Sequence, residues 1–121
     1  MIHKLLVILL FLSASCNDKA PGEIISKEPC SIEGSIESDI YSEYNAAIMY
    51  LVNKTPDKKI TFTIKMTTIN LSDNSKTEKT MALFTNPGDE IELGCSHGIS
   101  ELKVDKSYKF DIAGAFEWAD N

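Results

Sequence analysis

The chain of 121 residues contains no arginine; all 12 of its basic residues are lysine. Arginine is the side chain best shaped for planar, bidentate recognition of phosphate and carboxylate. Its absence speaks against a dedicated phosphate site. Acidic residues number 18, and the formal net charge is -6. Such a surface repels phosphate backbones, so nucleic acid is not an expected partner. Histidine is scarce too, with only His3 and His97. That excludes most zinc and copper sites built on imidazole. The only long apolar run is Leu5 to Leu12, far short of the ~20 residues a membrane-spanning helix needs. No internal repeat is visible. No serine sits in the glycine-flanked elbow of a nucleophilic hydrolase.

The short apolar run has informative flanks. Lys4 precedes it, and Ser13, Ala14 and Ser15 follow it directly before Cys16. A basic start, an apolar middle and a small-residue exit form the layout of a secretory signal. With a cysteine at the exit, the segment resembles the signal peptide of bacterial lipoproteins. The resemblance covers residues 4–16 only. It departs from the usual pattern at Ser13, where leucine is customary; Leu12 lies one step further back. The resemblance implies that residues 1–15 are removed by a dedicated peptidase and that Cys16 receives lipid on its thiol. It also implies acylation of the new amino terminus. The protein would then be membrane-attached in the cell envelope. Asn17 stands where an inner-membrane retention signal resembling that of enteric bacteria would have aspartate, which leans the expectation to the outer membrane. The alternative is an ordinary secretory signal cut near Ala14 or Ser15, leaving Cys16 free.

Cys30 and Cys95 are the other two cysteines. An exported domain meets an oxidising compartment, so a Cys30–Cys95 disulfide is expected. Residues 16–29 contain Asp18, Lys19, Pro21 and Gly22 and few apolar positions. They read as a lipidated tether. Residues 30–121 are enough for a single domain.

Most of that domain has a period of two. Ala47, Met49 and Leu51 alternate with Ile48, Tyr50 and Val52, apolar on both faces, as in a central strand. Ile60, Phe62, Ile64 and Met66 alternate with Thr61, Thr63, Lys65 and Thr67, as in a half-buried strand with its threonines in water. A third strand is predicted from Lys76 to Phe84, a fourth from Glu90 to Cys95, and a last one through Tyr108, Phe110 and Ile112 toward Trp118. Turns are predicted at Asn53–Lys58, Ser72–Ser75, Asn86–Asp89 and Ser96–Gly98. Ile36, Ile40 and Tyr44 share four-residue spacing, which suits one helical turn near 35–45. The expected fold is all-β, a small immunoglobulin-like β-sandwich or small barrel. Trp118 lies near the end of the chain, not between the cysteines, so an antibody-type domain is excluded.

The candidate chemistries are few. His97, flanked by Ser96 and Gly98, reads as a solvated turn residue. A zinc site of Cys30, Cys95 and His97 with a carboxylate competes with the disulfide. Cys95 and His97 echo a blue-copper loop, but the second histidine and the wider spacing are missing. Asp89 with Glu90 or Glu92 is the one carboxylate set for acid–base work, and it borders an exposed turn where raised pKa values are not expected. Asp57, Asp73 and Asp89 are candidate calcium ligands without EF-hand spacing. Asn53-Lys-Thr and Asn70-Leu-Ser match the glycosylation pattern, which matters only in a eukaryotic secretory route. Phe116 and Trp118 remain. Trp118 either covers the open end of the sandwich or is the contact for a partner.

No catalytic residue and no cofactor is expected. The expected function is a lipid-anchored, non-enzymatic binding or inhibitor/immunity-type module. It would be held at the membrane by the lipid on Cys16 and directed at a protein or other envelope component. An accessory structural subunit of an envelope complex and a metal-dependent hydrolase using surface carboxylates are the alternatives.

Overall fold

Alternation of large apolar and polar side chains is what builds this molecule, and the central strand of its larger sheet shows how. Ile60, Phe62 and Ile64 are fully buried on one face. Each contributes roughly 2–3 kcal/mol by leaving water. The computed structural model describes residues 20–30, 41, 43–100 and 103–118. These form β1 (Gly22–Pro29), β2 (Ala47–Asn53), β3 (Ile60–Asn70), β4 (Lys76–Thr85), β5 (Glu90–Cys95), β6 (His97–Ser100) and β7 (Lys103–Glu117). β1-β2-β5 make a three-stranded sheet and β4-β3-β7-β6 a four-stranded one. All pairings are antiparallel.

The protein is thus an all-β sandwich, as expected. Among the described residues no strand pairing closes the sheets into a barrel. The first, second and fifth strands share a sheet and the third lies in the other, as in immunoglobulin-like sandwiches. The last two strands depart from that order, because β7 rather than β6 lies beside β3. The cause is at Ser96. Its N–H donates to Ala47 of β2 and its carbonyl accepts from Tyr108 of β7. The chain therefore crosses from one sheet to the other in a single residue, and β6 lands at the outer edge. A strand that switches sheets at a bend is a common corner of β-sandwiches.

The core consists of Leu51, Ile60, Phe62, Ile64 and Phe110, with Ile24, Met49, Met66, Met81, Leu83, Leu93, Tyr108 and Ile112 packed around them. Leu51 stands between Ile24 and Ile91 in the smaller sheet. Ile64 stands between Met81 and Ile112 in the larger.

Two expectations change. Gly22–Pro29 is not tether but β1, paired along β2 from Gly22↔Asn53 to Pro29↔Ala47. A Cβ at Gly22 would lie 2.4 Å from the Phe62 ring, so the strand packs on the core at a point only glycine allows. Ser96–Gly98 is not a turn, since His97 opens β6. The helical turn near 35–45 falls partly on residues 31–40 and 42, outside the described residues. Among the described residues that follow, the Tyr41 carbonyl accepts from Tyr44 and from Ala46, with Asn45 at φ 53°. That bond from the second residue beyond the cap, with a left-handed asparagine, is the Schellman way of ending a helical turn.

Candidate binding surfaces

The antiparallel registers give the sandwich two ends of different character. Gly22, Asn53–Ile60, Thr85–Glu90 and Phe116–Trp118 gather at one end, called the tether end because the chain enters the domain there from Pro21. Cys30, Tyr44–Ala47, Asn70–Ser75, Cys95–Ser100 and Lys103–Ser107 gather toward the other, the distal end. The eleven residues of β3 separate the two ends by roughly 35 Å.

At the tether end, the outer face of the larger sheet carries an aromatic cluster. Thr61 is opposite Phe84 on one side and Phe116 on the other, so the three side chains share one row. Trp118 continues the ladder by donating its N–H to Lys59 O at 3.0 Å, which puts its ring on the same face. The indole Nε1–H donates to Thr61 Oγ1. Phe84 and Trp118 meet edge-on with centroids 5.5 Å apart, and Lys59 Nζ stands 5.9 Å from the indole centre. The rings close over Thr61, which is only 3% exposed. They are themselves open: Phe84 is 66%, Phe116 61% and Trp118 45% exposed. The threonine stripe is thus not uniformly in water. Nor does Trp118 plug the open end of the core; it lies outside the sheet.

A buried amide fixes the backbone beneath this end. Asn53 is 0% exposed and uses all its polar capacity. Its Nδ2 donates to Lys58 O and Thr85 Oγ1, both at 3.0 Å. Its Oδ1 accepts from the Thr55 N–H at 2.9 Å and the Thr55 hydroxyl at 2.6 Å. Thr85 passes its own proton to Ile60 O at 2.7 Å. The Asn86–Asp89 turn closes as expected, with Gly88 at φ 77° and Asp89 Oδ2 accepting from Asn86 N at 2.7 Å. The folded chain therefore leaves Asn53 no free amide to glycosylate.

At the distal end, Cys30 Sγ and Cys95 Sγ lie 2.03 Å apart with their Cα atoms 5.8 Å apart, the expected pair at disulfide distance. Sulfurs paired in this way offer no thiolates, which removes the zinc alternative at Cys30, Cys95 and His97. His97 is half-buried, and its ring lies 5.7 Å from that of Tyr44. Ser96 Oγ accepts from Ala47 N at 3.1 Å and sits 2.9 Å from His97 Nδ1. Burial pushes the His97 pKa below its ordinary value. Beside it, Tyr44, Asn70, Leu71, Ser72, Ser100 and Val104 help line an open cleft of about 660 Å³. Tyr44 and Leu71 are both exposed there.

The candidate carboxylates Asp57, Asp73, Asp89, Glu90 and Glu92 do not form one group of three or more with metal-holding geometry. Glu90 is paired with Lys27 at 2.6 Å. Glu92 lies 3.4 Å from the Tyr50 hydroxyl, which donates more strongly to Glu28 at 2.6 Å. The Glu28 bond is the leading cause of a Tyr50 pKa pushed up to about 12, with desolvation second. Asp73 caps its own turn through Ser75 N at the distal end, whereas Asp57 and Asp89 lie at the tether end. Among the described residues no group of three or more His, Cys, Asp or Glu is placed to hold a metal ion. Cys16 lies outside the described residues. Sequence reasoning had no signal for Phe84, which the β3–β4 register alone brings beside Trp118. Asn53 did carry a signal, the Asn-Lys-Thr spacing of an Asx turn.

No protein-family model, no curated protein and no solved structure matches the chain.

Proposed function

We propose that the protein is a lipid-anchored, non-enzymatic binding module of the bacterial cell envelope, of the inhibitor or immunity type. The anchor is Cys16, read from the signal layout that ends there. Two long acyl chains at roughly 0.8 kcal/mol per buried methylene would make attachment effectively permanent. The observation that carries the binding part is the division of the domain. The chain enters at one end, while the open cleft beside Tyr44 and Leu71 lies at the other. A domain held at its entry end presents its far end to envelope neighbours, and tethering raises its effective concentration toward them. The lean to the outer membrane rests on Asn17.

Cross-linking in native membranes tests the binding role. Wild-type protein should retain a defined envelope component. Leu71→Asp, at an exposed position, should lose it while melting within about 0.5 kcal/mol of wild type, as surface changes do. Identical captured sets from the two proteins would contradict distal binding.

A further inference from the structure

We propose that the aromatic corner formed by Phe84, Phe116 and Trp118 is a membrane-docking surface that seats the domain on the lipid surface to which Cys16 anchors it. The proposal rests on the anchoring reading above. Cys16 is five residues before Pro21, so the lipid lies within about 18 Å of Pro21 along the chain. Pro21 is fixed to the domain, its carbonyl accepting from Lys54 N at 2.8 Å. A single depression of about 290 Å³ has both Pro21 and Phe116 in its wall. The tether therefore leaves the domain beside the aromatic corner, and the bilayer surface is within its reach. The distal cleft, roughly 35 Å further along β3, is not.

The chemistry of the corner suits a lipid interface. Phenylalanine inserts among acyl chains, and tryptophan settles at headgroup depth with its apolar body down and its N–H satisfied. Here that N–H is already bonded to Thr61. Lys58 and Lys59 flank the corner, with stems able to lie along apolar surface while their amines stay in the headgroups. Lys54 and Lys58 are paired with Glu23 and Glu117, and Asp57 is close by, so the corner carries no strong net charge. Seating is therefore driven by aromatic insertion and depends little on anionic lipid.

Trp118 is the only tryptophan of the chain, so intrinsic fluorescence reports on this corner alone. Lipidated protein beginning at Cys16 is reconstituted in phosphatidylethanolamine–phosphatidylglycerol vesicles, with and without lipid brominated near the headgroup. Flotation is measured on the same samples. The protein should float, and bromine should quench Trp118 emission about twofold, as expected of an interfacial indole. A Phe84→Ser, Phe116→Ser variant should float equally and lose most of that quenching. Flotation without quenching overturns the docking surface and leaves the anchor standing. Failure to float overturns both. A concentration-dependent blue shift of non-lipidated Cys16→Ser protein without vesicles assigns the corner to a second copy of the chain and overturns lipid docking.

Discussion

The two ends of the sandwich are secured by different means. At the distal end a covalent pair, Cys30–Cys95, ties the end of β1 to the end of β5, and Ser96 links both sheets through its backbone. At the tether end no covalent cross-link among the described residues holds the loops. A buried amide, Asn53, satisfies the turn instead. The exposed surfaces differ in the same way. The distal cleft mixes Tyr44 and Leu71 with Asn70, Ser72 and Lys103, whereas the tether end exposes Phe84, Phe116 and Trp118 together. Stability and surface are thus separable in this small domain. Each end keeps its backbone with residues that face inward, and its outward residues remain free to interact.

The largest expected effect breaks the distal end. A Cys30→Ala, Cys95→Ala variant opens a link spanning a sequence separation of 65. Chain entropy gives about 4 kcal/mol for such a loop. Chemical denaturation should show that loss, and alkylation of unreduced wild-type protein should label neither cysteine. Free thiols at both positions in protein from its native compartment would remove the covalent half of the contrast.

Asn53→Ala breaks the tether end. It strands the Thr55 N–H and takes one donor from Lys58 O and one from Thr85 Oγ1, so a loss of about 3 kcal/mol is expected, close to that of the disulfide. Asn53→Asp keeps the Thr55 bonds but cannot donate to Lys58 O or Thr85, and should be nearly as damaging. A melting point within a degree or two of wild type for Asn53→Ala would show that the amide network does not hold this end.

Trp118→Ala separates surface from scaffold. The ring is half-exposed, so only about 1–1.5 kcal/mol of stability should go with its contacts to Phe84 and Thr61. A loss near 3 kcal/mol would mean that Trp118 closes the core after all.

The smallest effect is the pH response of the distal end. Folding lowers the His97 pKa below 6.5 because the ring is partly buried. As pH falls from about 6.5 toward the lower folded value, the unfolded chain takes up a proton that the folded one does not. Stability should therefore decline over that window and be fully present above it. His97→Gln should flatten the decline in melting profiles. An equally steep profile in the variant would assign the decline to other groups.

Much of the fold was legible because alternation is local. β2, β3, β4 and β5 follow from which residues are apolar, and the Cys30–Cys95 pair was expected from the cysteine count and the secretory-signal layout. What escaped depends on distant partners. β1 has adjacent Ile24 and Ile25 among Ser26, Lys27 and Glu28, a weak pattern that becomes a strand only when β2 offers its edge. Ser96-His97-Gly98 has turn composition, yet the backbone partners at Ala47 and Tyr108 draw it straight. Thr61 is buried by Phe84 from one neighbouring strand and by Phe116 and Trp118 from the other. Of the aromatic corner, Phe116 and Trp118 were visible as a terminal pair; Phe84 required the register of a hairpin.

The whole orientation depends on lipid at Cys16, and detergent-phase partitioning tests it most directly. Wild-type protein should enter the detergent phase, and its amino-terminal peptide should begin at Cys16 with acyl mass attached. Cys16→Ser protein should remain in the aqueous phase. Equal partitioning of the two, with an unmodified Cys16, would contradict the account.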